Sequence, residues 1–239
     1  MLALSTSVSQ KGYPQQVSTS TSGSPRYHHG NLRASLVEAA IELARAEGPD
    51  GIVVREAARR VGVSHNAAYR HFSDRGELIA EVALYGLGEL VAAAGRRLDL
   101  VTSRSPVLRA RRRLAELGRG YVDFALAEPG LFKATFASFP SLGDPRDDDG
   151  DKPDPFGMLG AALDDLVAVG FLAPAHRPGA EIMCWSAVHG FAVLHLEGPL
   201  YGSPPAEREA ALDHLVATID RGYGATTGAV VRRGDLDPR

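Results

Sequence analysis

The chain has 239 residues, 44% of them hydrophobic and 23% charged, a balance that permits one large buried core or two ordinary ones. No run approaches the roughly 18–20 consecutive apolar residues of a bilayer-spanning helix, and Met1 to Ser5 lacks both the basic and the apolar region of a secretory signal, so a cytoplasmic protein is expected. A single cysteine, Cys184, excludes an intrachain disulfide and a cysteine-based zinc site, and no cofactor or metal is expected.

The net charge of −3 conceals an asymmetry. Residues 26–76 carry 8 Arg against 6 acids and four of the eight histidines, whereas residues 77–239 carry 17 bases against 23 acids. A basic block joined to an acidic body is the pattern of a small module for polyanions attached to a larger unit with another task. Residues 1–24, rich in Ser and Thr and without an acid, have too little apolar surface to offset ordering entropy and are expected to form a disordered arm.

From Asn31, which can act as an N-cap, Leu32, Leu36, Ala40 and Leu43 predict one face of a helix that Gly48-Pro49 stops. A short second helix fits Val54 to Arg60, and a third fits His65 to about Phe72. Gly62 permits the tight turn between them and Ser64 caps the third helix, so the pair reads as a helix-turn-helix. Asp74 with Glu77 predicts the capped start of a long fourth helix that ends near Ser103.

Helical spacing then recurs at Leu114, Leu117, Tyr121 and Phe124, at Leu159 to Val169, at Ile182, Trp185, His189, Ala192 and Leu196, and at Leu212, Leu215, Val216 and Ile219. Breakers separate these stretches at Glu128-Pro129-Gly130, in the polar run from Gly143 to Pro155, at Pro174 to Gly179 and at Gly198 to Pro205. No period-2 pattern competes. The expected fold is all-α, with a three-helix DNA-binding unit over residues 25–74, a larger helical bundle over 75–223 and a flexible tail over 224–239.

The stretch Gly51 to Leu78, GIVVREAARRVGVSHNAAYRHFSDRGEL, resembles the DNA-binding domain of TetR-type (tetracycline-repressor-like) transcriptional regulators. The turn Gly62-Val63-Ser64, the Tyr69-x-His71-Phe72 end of the third helix and the capped start of the fourth carry that likeness. Tyr27 to Arg33 is similar to the start of one branch of the family, and Trp185-x-x-x-His189-Gly190 resembles the Trp-His-Gly signature of the ligand domain in the same branch. The resemblance implies a homodimer whose third helix enters the major groove and whose C-terminal domain binds a small effector, with DNA as partner and repression as the expected sign of regulation.

His65, Asn66 and Arg70 are the long polar side chains available to read base edges, beside Ser64 at the helix start, and Asn66 suits bidentate pairing with adenine. Tyr69, His71, Arg55 and Arg75 match the family's phosphate-contacting positions, and Arg26, Tyr27 and His28 are placed to reach an adjacent groove. Arg75 stands where lysine is commoner and position 66 is often small or helix-starting in the family, so operator sequence does not transfer; Ala57 stands where a larger aliphatic residue is usual, so looser packing beneath the turn is expected.

An apolar effector pocket is expected among Tyr121, Phe124, Phe132, Phe136, Phe156, Met183 and His189. Two roles stand open for His189, a hydrogen-bonded core histidine and a polar anchor for the effector. The last two long helices, about Pro178 to Leu196 and Pro205 to Tyr223, are expected to form the dimer interface, because Leu212, Leu215, Val216 and Ile219 offer more apolar face than a solvated helix needs. The nucleophile-elbow, metalloprotease, phosphate-loop and dinucleotide motifs of enzymes are missing from the sequence. The alternative is a helical small-molecule-binding protein or enzyme with a vestigial helix-turn-helix.

Overall fold

Residues 31–137 and 154–224 are described by the computed structural model. The expected arm, the residues Arg26, Tyr27 and His28, most of the polar run before Pro155 and the tail from 225 onward lie outside the described residues.

The first apolar stripe does what its spacing predicts. Leu36, Ala40, Leu43 and Ala44 are buried along one face of α1, Leu32–Glu47, and a 3-10 turn at Gly48–Gly51 ends it. Then follow α2, Val54–Val61, and α3, His65–Tyr69. The turn between them is built by backbone hydrogen bonds. Gly62 sits at φ 78°, its N–H donates to the Arg59 carbonyl and the Val63 N–H donates to the Ala58 carbonyl, a pairing that satisfies the last carbonyls of α2 and needs a residue tolerant of the left-handed region. Ala57, Ala58, Ala68 and Phe72 are buried beneath this turn. The small side chain of Ala57 is fully enclosed there.

Helix α4, Arg75–Leu98, begins as the capping residues predict but stops five residues short of Ser103. Asp74 accepts from the Glu77 N–H at 3.0 Å, and the Glu77 carboxylate accepts from the Ser73 N–H at 2.7 Å. By length and composition this helix could cross a membrane, yet half of its apolar stretch is buried within the protein, against α1 and against α5, Pro106–Ala127, and α6, Pro129–Ala137. Helices α7, Pro155–Ala168, α8, Ala180–Leu196, and α9, Pro205–Gly224, complete the bundle. Every long element among the described residues is an α-helix, and none is a strand.

Close backbone approaches at glycines fix how these helices cross. A Cβ on Gly120 of α5 would lie 2.7 Å from the Ala94 Cα of α4, and one on Gly130 of α6 would overlap the Ala44 carbonyl oxygen of α1. The core therefore does not divide at residue 74. One continuous apolar cluster runs from Leu36 and Phe72 through Leu78 and Val82 to Phe132, Phe191 and Leu212. A second, at the other end of α4, gathers Ala94, Leu114, Leu117, Leu163, Cys184 and Tyr223.

The last helix packs partly within the protomer. Leu212 and Tyr223 are buried, and Leu215, Val216 and Ile219 pack against the protomer's own two clusters, so the apolar face of α9 is largely consumed within the chain. Exposed apolar side chains lie instead on α8, at Ile182, Met183 and Leu194.

Candidate functional site

Two regions collect the sequence-predicted residues, one on the surface around α3 and one inside the bundle. In the first, the Ser64 hydroxyl accepts from the Ala67 N–H at 3.2 Å, so this side chain caps α3 and fixes its direction. His65, Asn66, Tyr69 and Arg70 follow at i, i+1, i+4 and i+5 and are all exposed on one side of the short helix, with His71 just beyond it. Phe72, 1% exposed, anchors the C-terminal end of this segment, and the Arg33 guanidinium lies 5.0 Å from its ring centroid while pairing with Glu81.

Arg55 projects from the first turn of α2 and is exposed. The neighbouring bases are spent locally. Arg59 and Arg60 both pair with Glu56, whose carboxyl they hold at about 2, so α2 presents Arg55 as its uncommitted cation. Arg75 also has a local task. Its guanidinium donates to the Pro49 carbonyl at 2.6 Å and the Ile52 carbonyl at 2.8 Å, tying the start of α4 to the segment that leads into α2. Two of its donor groups are thus occupied in holding the reading head together.

The second region is a cavity of about 90 Å³ between α4, α5, α6, α7, α8 and α9. Its walls are almost wholly apolar. One stripe of α5, Arg111, Leu114, Ala115, Gly118 and Tyr121, forms a side about 15 Å long. Of the residues expected there, Tyr121, Phe136 and Phe156 line it. Phe124 and Phe132 are buried in the adjoining core, Phe132 packing edge-on to Tyr121 with centroids 5.8 Å apart. Met183 faces away, 44% exposed on the outer side of α8.

Trp185 and His189, one turn apart on α8, meet at a single oxygen. The Trp185 indole donates to the Tyr121 hydroxyl at 3.2 Å, and that hydroxyl lies 2.7 Å from His189 Nδ1. Burial pushes the Tyr121 phenol well above its ordinary range and the His189 imidazole below its own. With both groups neutral, the phenol donates to Nδ1 and the ring proton sits on Nε2. His189 is therefore a hydrogen-bonded histidine that positions the wall residue Tyr121 from behind, and it does not line the cavity itself. Because its folded pKa is depressed, its stabilising contribution is complete above the unfolded value of about 6.5 and is lost as the pH falls below it. Thermal melting between pH 7.5 and 5.5 is expected to show a falling midpoint, with a shallower fall in His189→Gln.

The sequence reading missed Arg111, Asp220 and Cys184 as wall residues. Arg111 donates twice to Asp220, at 2.9 and 2.5 Å, bridging α5 to α9, and its guanidinium covers the Phe171 ring at 4.6 Å. The α5 spacing of 3, 1, 3 and 3 from Arg111 to Tyr121 marks this stripe, but an arginine within it reads as solvated until its partner across 109 residues is known.

Two family models match the chain. Residues 36–82 match "Bacterial regulatory proteins, tetR family", and residues 114–219 match "Tetracyclin repressor-like, C-terminal domain". The chain belongs to the TetR family of bacterial regulatory proteins.

A Bacillus subtilis (strain 168) protein described as an uncharacterized HTH-type transcriptional regulator, YobS, is 31% identical over 111 residues, 46% of this chain. The chain spans about half the length of that curated relative, 53%. A solved structure of a protein of unknown function from Rhodococcus sp. RHA1 is 28% identical with TM-score 0.62, covering 84% of this chain and all of the other. A TetR variant from Acinetobacter baumannii AYE in complex with minocycline shares the fold at 19% identity and TM-score 0.59, covering 82% of this chain and 98% of that one.

Proposed function

We propose that this TetR-family chain is a cytoplasmic one-component transcriptional repressor that binds near-palindromic DNA as a homodimer and leaves it when a small apolar effector occupies the cavity. Residues 25–74 supply the reading head and residues 75–223 the effector and dimer unit. The observation that carries this reading is the solvent-facing set on the capped third helix, His65, Asn66, Tyr69 and Arg70, flanked by Arg55. A helix of this kind fits the major groove, where base edges carry a distinct donor and acceptor code, while hydroxyl and guanidinium groups at its margins fix register on phosphates.

Helix α4 supplies the coupling. It begins at Arg75, tied to the reading head, and its Leu90 and Ala94 line the cavity wall. An effector acts only through unequal affinity for the DNA-bound and released states, and a coupling of about 1–3 kcal/mol changes operator affinity roughly 5- to 150-fold.

Mobility-shift titrations on the DNA flanking the coding region test the reading head. Tyr69→Ala and Arg55→Ala are expected to weaken binding to every sequence, Arg55→Ala also lowering the salt slope by about one while Tyr69→Ala leaves it unchanged, whereas Asn66→Ala relaxes the preference at one base pair at a loss of about 1–3 kcal/mol. Wild-type affinity and salt slope in both Tyr69→Ala and Arg55→Ala would remove α3 and α2 from the interface.

A further inference from the structure

We infer that the cavity selects an elongated, uncharged apolar molecule, and that the Arg111–Asp220 pair enforces this selection by cancelling the charges in its wall.

The inference rests on the reading of the cavity as the effector site and deepens it. Each polar group in the wall already has a partner. Arg111 gives two N–H groups to Asp220 and lays its face on Phe171. The Tyr121 hydroxyl accepts from Trp185 and donates to His189. The Tyr223 hydroxyl donates to the Ala180 carbonyl at 3.2 Å, so the Cys184 thiol, 3.2 Å away, donates to Tyr223. Burial also pushes that thiol up, keeping it protonated and uncharged. Outside the Arg111–Asp220 pair, whose remaining N–H groups and lone pairs lie on two charges that offset each other, the hydrogen-bonding capacity left in the wall is one acceptor position on Tyr121, enough for a single ligand hydroxyl.

A carboxylate arriving at Arg111 would compete with Asp220 and then face it as a like charge at the partly exposed edge of an otherwise apolar wall. An ammonium at Asp220 would meet Arg111 in the same way. Either ion also loses its own hydration against the surrounding apolar surface. A neutral chain loses nothing, and the α5 stripe of about 15 Å suits a long, thin molecule more than a compact one.

Trp185 is the one tryptophan of the sequence and lies in the wall, so its fluorescence reports occupancy without any DNA present. Octan-1-ol, octanoate and octylamine share one carbon skeleton and differ in charge at pH 7. The wild-type protein is expected to bind octan-1-ol at least roughly tenfold more tightly than either ion. Asp220→Asn leaves Arg111 unpaired and is expected to raise octanoate affinity roughly tenfold with little change for octan-1-ol. Arg111→Gln is expected to do the same for octylamine. Octan-1-ol binding in each variant also shows that its cavity is intact.

Octanoate or octylamine binding to the wild-type chain within twofold of octan-1-ol overturns the inference, whatever the variants do. Unchanged ion affinities in both variants overturn the role of the pair. Selective octan-1-ol binding that never weakens operator binding leaves this inference standing and counts instead against effector control.

Discussion

Joint replacement of Ile182 and Leu194 by glutamate is expected to leave a folded monomer that no longer holds its operator. Helix α8 is apolar on opposite sides. Cys184, Val188, Phe191, Ala192 and His195 are buried toward the core, while Ile182, Met183 and Leu194 stay 50%, 44% and 42% exposed. Between these exposed side chains lie Ser186 and Gly190, and a Cβ on Gly190 would meet nothing within 4 Å, which leaves an open lane where a second helix can approach closely. An apolar stripe with a small-residue waist fits its own symmetry mate.

Charges at both ends of that stripe would be desolvated on association, at a cost of several kcal/mol. The protomer's core is untouched, because both side chains are about half exposed and neither belongs to its two buried clusters. Sedimentation is expected to report the monomer mass, and operator affinity is expected to fall toward the non-specific level, on the order of 10³-fold or more. A dimeric, operator-competent double variant would move the interface elsewhere.

Gly130→Val is expected to give the largest loss of stability. The first turn of α6 rests on the end of α1 so closely that a Cβ at this position overlaps the Ala44 carbonyl oxygen and lies 2.7 Å from that of Arg45. Both obstacles are helix backbone and cannot rotate aside, so α6 must shift as a body. Overpacking of this kind costs about 3 kcal/mol, a drop in Tm of roughly 6–12 °C for a chain of this size. The same helix carries Phe132 and Phe136 beside the Tyr121 hydroxyl network, so the displacement also reaches the cavity wall. The contrasting substitution is Gly95→Ala in α4, where a Cβ has open space; it is expected to stabilise by about 0.5–1 kcal/mol. Equal melting of Gly130→Val and the wild type by differential scanning calorimetry would contradict the packing described.

The reading head was legible because its instructions are local. Gly62 in the left-handed region, Ser64 and Asp74 as caps and Phe72 as anchor each act within a few residues, and each takes the conformation its chemistry requires. Arg75 was only partly legible for a related reason. Sequence marks it as a cation near a phosphate surface, while its hydrogen bonds to the Pro49 and Ile52 carbonyls depend on a turn more than twenty residues earlier.

The cavity was only partly legible. Aromatic spacing finds Tyr121, Phe136 and Phe156, but separating wall from core among Phe124, Phe132 and His189 depends on how α5, α6 and α8 are seated in the bundle, α5 on α4 through Gly120 and α6 on α1 through Gly130. The apolar face of α9 shows the same limit. Leu212 to Ile219 are apolar whether they meet their own protomer or a second one, and only the packed bundle assigns them inward.

The central claim is that this chain reads DNA and releases it on filling the cavity. Fluorescence anisotropy of a labelled duplex from the DNA flanking the coding region, titrated with the wild-type dimer at several salt concentrations with and without octan-1-ol, measures both halves at once. The expected result is binding at least 10³-fold tighter than to an unrelated duplex, linear loss of log affinity with log salt, and a 5- to 150-fold weakening once Trp185 fluorescence shows the cavity occupied. Equal affinity for the flanking and unrelated duplexes, with no change on occupancy, would contradict it.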